Sequence, residues 1–226
     1  MRTSFRESPV GNQSKAFANP VFAKRYEEWY AGPGRRADRL EKQLLACLLG
    51  DFPNATTVLD IGCGTGHFSR WLSDQGLRVV GVEISPAMLE ARSRTEGVSY
   101  VVGDALALPF ADQSFDLAVF VTTLEFVNDP GRALREALRV AKAGLLLGTL
   151  NRCSLMAARR KASGKPPWDM VRFFSPHELA VLVSDAAGRR MSRTRCRTTL
   201  WPLPCLGSLP LPWGGFIGMS VSLHAS

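Results

Sequence analysis

Short apolar segments alternate along the chain with longer stretches in which apolar residues recur at helical spacing. The short segments predict buried strands, and the longer stretches predict amphipathic helices. The predicted strands cover residues 58–61, 77–83, 98–102, 115–121, 145–150, 193–198 and 216–223. The first five strands alternate with helices predicted over 35–49, over 67–75, from Ser85 and from Asp129. This alternation is typical of a doubly wound α/β fold built on a parallel sheet.

Helix-start signals support this assignment. Ser85 and Asp129 are each followed by a proline, which is the usual combination of a capping residue and a first helical residue. Ser175 is also followed by a proline and then by Glu178 at the third helical position, which predicts a capping box. Gly188 is expected to end that helix.

Two further features lie beyond residue 150. The stretch 159–167, rich in Arg, Lys, Gly and Pro, is the best candidate for a linker. Arg193, Arg195 and Arg197 alternate with smaller residues, which predicts a strand with one face in solvent.

Composition favours one compact unit. A chain of 226 residues with 46% hydrophobic content can bury one full core, so we expect a single domain over residues 1–226. We find no secretory leader and no run of about 18 apolar residues, and we therefore expect a cytoplasmic protein. The five cysteines lack C-x-x-C spacing and the three histidines lie far apart, so neither a disulfide framework nor a metal site is predicted.

The formal charge of +8 is unevenly distributed. Lys and Arg outnumber Asp and Glu by nine to five in residues 1–45 and by eleven to three in residues 151–197, whereas residues 46–150 hold eight against twelve. Residues 198–226 carry none of these charges. The basic flanks are compatible with RNA, with an acidic small molecule or with an anionic membrane surface carrying a lipid acceptor.

A glycine-rich loop directly follows the first predicted strand and precedes a helix. It reads Asp60-Ile61-Gly62-Cys63-Gly64-Thr65-Gly66, with His67 where a dinucleotide fingerprint would have its third glycine. No Gly-Lys-Ser/Thr follows, so a phosphate-binding P-loop is excluded. The opening acid can accept a hydrogen bond from an amino group, which a pyrophosphate does not offer.

This D-x-G-x-G-x-G loop resembles the first motif of the class I S-adenosylmethionine-dependent methyltransferases, in particular the small-molecule, methyltransferase type 11-like members. The resemblance extends to Glu83 at the end of the second strand, to Asp104 after the third, and to the run 108–116. It implies a Rossmann-like, mostly parallel seven-stranded sheet with helices on both faces and an antiparallel last strand. It also implies three parts: a helical lid over 1–50, a cofactor-binding core over 51–150, and acceptor-side and C-terminal strands over 151–226.

The same resemblance implies that S-adenosylmethionine is the cofactor. Glu83 would accept the two ribose hydroxyls, and Asp104 would accept from the adenine amino group, although taken alone it indicates an Asx-turn. Aromatic residues at 26–30 resemble a lid element over the methionine part, while a hydrophobic staple or simple core is the alternative. The implied cofactor contacts are Tyr30, Asp60, Gly62, Cys63, Gly64, Gly66, Glu83, Ile84, Asp104, Ala105 and Thr122.

Residues after the fourth strand normally face the transferred methyl group in this family. Glu125 is our candidate for a catalytic base; the alternative is a helix-start carboxylate stabilised by the local dipole. Asn151 and Arg152 are candidates for binding the acceptor, with capping by Asn151 and a solvated Arg152 as the alternative. Trp168 is a further candidate for the acceptor pocket.

The acceptor itself remains open between classes. We favour a small organic acceptor, with a quinone-like or lipid-like molecule as a subset; RNA is possible but not favoured, because no accessory RNA-binding motif is present. A protein that binds the cofactor without catalysing transfer is the non-enzymatic alternative. The uncharged region 198–217 would suit either a homodimer contact or ordinary core cover.

Overall fold

The computed structural model describes residues 17, 19–92, 97–164, 171–199 and 214–224. Its strands are β1 (Thr57–Ile61), β2 (Arg78–Glu83), β3 (Val98–Val102), β4 (Phe115–Val121), β5 (Ala141–Leu150), β6 (Met191–Thr198) and β7 (Phe216–Leu223). Its helices are α1 (Pro20–Ala31), α2 (Arg35–Leu49), α3 (His67–Asp74), α4 (Pro86–Glu90), α5 (Pro130–Val140), α6 (Leu155–Ser163) and α7 (Pro176–Ala187). Short 3₁₀ turns cover Leu124–Phe126 and Gly188–Arg190.

The seven strands form one sheet in the order β3-β2-β1-β4-β5-β7-β6. Neighbours from β3 to β5 are parallel, whereas β7 runs antiparallel to both β5 and β6. The predicted doubly wound sheet with an antiparallel last strand is therefore confirmed. β2 and β4 pair with opposite edges of β1. The connections after β1 and β4 therefore diverge, and a crevice forms beyond the carboxyl ends of these two strands, where such sheets bind ligands.

Apolar helix faces cover both sides of the sheet. On one side α5 contributes an apolar stripe of Ala133, Leu134 and Ala137, all fully buried. On the other side Leu45 and Leu48 of α2 are fully buried against the sheet. Each such leucine contributes about 1.5–3 kcal/mol of burial free energy. The core therefore fixes the sheet as a rigid platform beneath the crevice.

Most predicted boundaries agree with the structure to within two residues, and three predictions differ from it by more. The strand expected at 145–150 begins at Ala141, because α5 runs into it without a connecting loop. The prediction of a linker at 159–167 is wrong for residues 159–163, which lie in α6. Ser154 caps this helix by accepting a hydrogen bond from the Ala157 amide. The helix interior is rich in Ala and Arg, which are strong helix formers. The aromatic run at 26–30 lies within a helix of its own, α1, capped by Asn19.

The arginines of β6 are only partly solvated. Arg193 is exposed as predicted. Arg195 forms an ion pair with Asp51, and Arg197 approaches the Cys47 Sγ to 3.0 Å, so both cover the end of α2. The prediction that the arginine side chains of β6 all face solvent is therefore wrong for Arg195 and Arg197. The apolar region 198–217 lies mostly outside the described residues.

Candidate functional site

The glycine loop occupies the crevice beyond β1. Gly62, Gly64 and Gly66 have φ angles of 70°, 57° and 78°, in the left-handed region that favours glycine. A Cβ built on Gly62 would lie 2.1 Å from the Thr123 side chain, and one on Gly66 would lie 2.2 Å from the Tyr100 hydroxyl. Glycine is required at both positions by conformation and by space.

The loop is fastened to β2 by its own backbone. The Gly62 and Cys63 amides both donate to the Val82 carbonyl, at 2.7 and 3.1 Å. The Gly64 amide donates to Glu83 Oε2 at 3.0 Å, and Glu83 Oε1 accepts from the Ser85 amide at 2.9 Å. Glu83 is therefore held in one orientation at the end of its strand, 8% exposed.

The two acids of this crevice are both buried. Asp60 accepts a 2.5 Å hydrogen bond from the Ser69 hydroxyl, and burial raises the pKa of Asp60 to about 7. Burial also raises the pKa of Glu83, against the opposing effect of its backbone donors. Buried acids with raised pKa values, in a cleft, are typical of functional sites.

The third acid, Asp104, is exposed at the end of β3. Its Oδ1 accepts from the Leu106 amide at 2.9 Å, so the Asx-turn is present, and Ala105 beside it is partly buried. Ile84 and Val102 are each 57% exposed at the ends of β2 and β3. Exposed apolar side chains beside these acids provide a surface on which a flat ring could pack.

The N-terminal helix lies over this loop, but a different tyrosine approaches it. Tyr26 lies 3.9 Å from a Cβ built on Gly64, and its hydroxyl is within hydrogen-bond reach of Thr122 and 3.1 Å from the Tyr30 hydroxyl. Tyr30, the predicted contact, instead stacks on His67 with ring centroids 3.8 Å apart. Helical spacing could have indicated Tyr26, since residues four apart share one face.

Phe17 extends the same cover. Its carbonyl accepts from the Ser85 hydroxyl at 2.8 Å, and its ring meets Phe126 edge to face at 5.0 Å. Phe17 therefore contacts one element that follows β2 and another that follows β4. This arrangement is consistent with a covering element.

The end of β4 contains a backbone outlier. Thr122 has a φ of 51°, which a β-branched residue rarely adopts, and its amide donates to the Gly148 carbonyl at 2.8 Å. Such strain is found mainly where surrounding structure enforces it, often at functional sites. The next residue, Thr123, packs against Gly62 and donates to its carbonyl at 3.2 Å.

Glu125 is buried, with 1% of its surface exposed, in the 3₁₀ turn after β4. Its Oε1 accepts from the Leu150 amide at 2.6 Å, while its Oε2 is buried without a hydrogen-bond partner among the described residues. Burial raises the pKa of Glu125 to about 8. Its role as a base remains a prediction; Glu125 does lie in the first turn of a helical segment, as the alternative expects, and it is buried there.

The raised pKa of Glu125 predicts a dependence of stability on pH. Because the folded protein holds this proton more tightly than the unfolded chain, the free energy of unfolding should fall as pH rises from about 4.5 to 8. Glu125→Gln removes this titrating group, so the slope of the unfolding free energy against pH should become less steep by at most about 1.4 kcal/mol per pH unit. Urea unfolding at several pH values measures the effect, and the exposed Glu28→Gln is the control. Equal pH dependence in Glu125→Gln and wild type would contradict the assignment.

The candidate acceptor residues have protein partners. The side-chain nitrogen of Asn151, Nδ2, donates to the Gly214 carbonyl at 2.7 Å, and Asn151 Oδ1 accepts from the backbone amide of Cys153 at 3.0 Å. Arg152 forms a 2.7 Å ion pair with Glu178. The cap of the following helix is Ser154, so the alternative of capping by Asn151 is wrong. Trp168 lies outside the described residues.

The arrangement fits one kind of ligand. When it is ionised, the Glu83 carboxylate is a hydrogen-bond acceptor and not a donor. A pair of ribose hydroxyls, which can both donate, suits such a group. The bare apolar surface at Ile84 and Val102 suits an adenine ring, with Asp104 exposed beside it. No group of His, Cys, Asp and Glu among the described residues could hold a metal ion. The crevice therefore has the chemistry of a nucleoside site.

Comparison with known proteins identifies the class. A family model described as a methyltransferase domain matches residues 59–147, which include the glycine loop, Glu83 and Asp104. A crystal structure from Thermotoga maritima, of an S-adenosylmethionine-dependent methyltransferase described as a possible histamine N-methyltransferase, is 32% identical, with a TM-score of 0.74. The match covers 93% of this chain and 99% of that one. The chain belongs to the S-adenosylmethionine-dependent methyltransferase family.

Curated relatives act on different acceptors. A demethylmenaquinone methyltransferase of Renibacterium salmoninarum is 41% identical over 46% of this chain and 44% of its own length. A malonyl-[acyl-carrier protein] O-methyltransferase of Pseudescherichia vulneris is 39% identical over 67% of this chain and 61% of its own. The chain thus spans only about half of the curated relatives it matches. Within the described ranges, no helix is long and apolar enough to cross a bilayer.

Proposed function

We propose that this protein transfers a methyl group from S-adenosylmethionine to a small organic acceptor. The observation that carries the proposal is Glu83, a buried carboxylate fixed by two backbone amides directly beside the glycine loop. That geometry needs both the loop and the end of β2, and it is the arrangement that the family resemblance implies for ribose binding. The position of the crevice at the switch point of the sheet supports the same proposal.

Different residues would contact different parts of the cofactor. Glu83 would accept the ribose hydroxyls, Asp104 with Ile84 and Ala105 would contact the adenine, and Asp60 with the glycine loop would bind the methionine part. Tyr26, with its hydroxyl 3.1 Å from that of Tyr30, would close the methionine end, because its ring lies 3.9 Å from a Cβ built on Gly64. Cys63 would contribute its backbone, since its side chain is buried.

The bound cofactor would supply an activated methyl group on a sulfonium. The chain then has to hold the acceptor atom in line with that methyl group and to exclude water, and positioning of this kind is worth up to ~7–11 kcal/mol. Thr122, which has an unusual φ of 51° at the end of β4, would lie where the acceptor side begins. The cover formed by α1 and Phe17 would exclude solvent.

The names of the relatives are compatible with several acceptors and do not select one. The Thermotoga protein, described as a possible histamine N-methyltransferase, matches over nearly its full length, and demethylmenaquinone and malonyl-[acyl-carrier protein] are the acceptors named for two curated relatives. A quinone or lipid acceptor, an RNA acceptor and a homodimer through the C-terminal region remain proposals of lower rank. Each can be tested with the same purified protein.

Binding of the demethylated cofactor is the first test. S-adenosylhomocysteine at 100 times its dissociation constant should stabilise the fold by ~2.7 kcal/mol, which a thermal-shift titration detects. NAD is the control ligand, and a larger shift with NAD would overturn the cofactor assignment. Radiolabelled methyl transfer to amine, quinol, carboxylate and RNA panels then tests catalysis. Tight cofactor binding without transfer to any panel would favour the non-catalytic alternative.

A further inference from the structure

Two pairs of side chains attach the covering helix α1 to the first turn of α3. Glu27 and Tyr30 lie three residues apart on α1 and therefore share one face of that helix. His67 and Arg70 have the same spacing on α3. Tyr30 stacks on His67, as described above. Arg70 Nη2 donates to both carboxylate oxygens of Glu27, at 3.0 and 3.1 Å. The two helix faces therefore meet through a ring stack and an ion pair.

Arg70 also holds the glycine loop. Its Nη1 donates to the carbonyl of Thr65, which follows Gly64 in that loop, at 2.8 Å. Tyr26, the neighbour of Glu27 on α1, lies 3.9 Å from a Cβ built on Gly64. A single guanidinium group thus binds both the loop and the helix that lies over it.

The hydrophobic attachment of α1 is smaller than that of its neighbour. Among the residues of α1 whose side chains are described, Ala23 and Tyr30 are the buried ones, whereas α2 buries three leucines. Elements with few buried apolar contacts open at a lower free energy than the core does. We therefore expect α1 to separate from the glycine loop without unfolding of the sheet, once its side-chain attachments open.

The Glu27–Arg70 ion pair is partly accessible to water. The side chains of Glu27 and Arg70 are 26% and 18% exposed. An ion pair in this setting stabilises one state by up to about a factor of five in its equilibrium constant, and salt weakens it. Both partners belong to the chain and no cofactor atom takes part. The pair therefore favours the closed position of α1 whether the crevice is empty or filled.

We infer that the Glu27–Arg70 ion pair is a latch that holds α1 closed over the glycine loop and thereby sets the rates at which the cofactor enters and leaves. This inference rests on the proposed function, because it concerns the regulation of the same site. Arg70 acts as a positioning residue, since it holds the loop through Thr65 and the covering helix through Glu27. A latch that is equally strong in the free and the bound protein changes both rates by the same factor and leaves the affinity unchanged.

The test measures the rates of S-adenosylhomocysteine binding to the full chain by stopped-flow tryptophan fluorescence. Glu27→Gln removes the ion pair but leaves the hydrogen bond from Arg70 to the Thr65 carbonyl. The association and dissociation rate constants of Glu27→Gln should both rise about three- to fivefold, while the dissociation constant stays nearly unchanged. Glu28→Gln makes the same change of charge at an exposed neighbouring position and should leave both rates unchanged.

Salt provides a second readout, which the wild type alone supplies. S-adenosylhomocysteine carries no net charge at neutral pH, so salt has little effect on its long-range attraction to the protein. Raising NaCl from about 0.1 M to about 1 M shortens the Debye length from about 10 Å to about 3 Å and so weakens the ion pair. Both wild-type rates should rise towards those of Glu27→Gln, whose own rates should stay nearly constant. A glutamate with a purely structural role would not produce this difference.

The inference would be overturned by unchanged rates in Glu27→Gln, by equal changes in Glu28→Gln, or by wild-type rates that do not respond to salt. An equal salt response in Glu27→Gln and the wild type would also overturn it. Faster dissociation of S-adenosylhomocysteine from Glu27→Gln with an equal loss of affinity would do the same, by showing that Glu27 supports the bound site and not a closing step. Failure of the wild type to bind S-adenosylhomocysteine would instead reject the proposed function.

Discussion

Gly62→Ala is expected to destabilise the protein by about 2–5 kcal/mol and to abolish cofactor binding. The φ of 70° costs an alanine roughly 1–2 kcal/mol, and forcing a methyl group into filled space costs typically about 1–3 kcal/mol more. The new Cβ would lie 2.1 Å from Thr123 Cγ2, and Thr123 cannot move freely, because its hydroxyl donates to the Gly62 and Val121 carbonyls. Urea denaturation measures the loss.

Gly76→Ala is the matched control for this effect. Gly76 has a φ of 86°, but a Cβ added there would meet no atom within 4 Å, so the substitution incurs only the conformational cost of roughly 1–2 kcal/mol. Equal destabilisation by the two substitutions would show that the contact with Thr123 is unimportant. Retained S-adenosylhomocysteine binding in Gly62→Ala would show that the loop tolerates displacement.

Glu83→Ala is expected to weaken S-adenosylhomocysteine binding by roughly 100-fold or more. Two hydrogen bonds from ribose hydroxyls to a carboxylate contribute about 1.5–3 kcal/mol each. The substitution also leaves the Gly64 and Ser85 amides without their acceptor, so the loop loses its attachment to β2 and the fold loses a further few kcal/mol, at about 1–3 kcal/mol per buried donor. Isothermal titration gives the affinity, and thermal unfolding gives the stability.

Two variants separate binding from folding. Glu83→Gln keeps the shape and one acceptor oxygen, so it should fold better than Glu83→Ala while still binding weakly. Glu90→Ala removes an exposed acid at the end of α4 and should change neither property. The assignment of Glu83 to the ribose would be wrong if Glu83→Ala bound S-adenosylhomocysteine as tightly as the wild type.

Local signals were sufficient for most of the framework. The N-caps at Ser85, Asp129 and Ser175 each accept the backbone hydrogen bond that their side chains suggest, because capping needs only residues three positions apart. The helix at 35–49 begins and ends where its apolar spacing predicts. The helix α6 was missed, because Arg, Lys and Gly near its end are also typical of a linker.

Side-chain partners that come from distant parts of the chain could not be predicted in the same way. Tyr26 rather than Tyr30 approaches the glycine loop, and that choice depends on how α1 packs across the sheet. Arg195 and Arg197 cover α2 because β6 is an edge strand next to β7, not because of their own alternation. Asn151 bonds to Gly214 and Arg152 pairs with Glu178, and both partners are brought close by later segments of the chain.

The sequence by itself determined the α/β fold, the glycine loop and the acids that follow it at successive strand ends, because these features depend on spacing within short segments. Only the tertiary structure decided which acidic groups are buried. By sequence alone, Glu41 is an ordinary helical glutamate and Glu125 a helix-start carboxylate, yet both lie in the interior. Burial is a property of packing between elements far apart in the chain, so these two acids became recognisable as interior groups only once those elements were assembled.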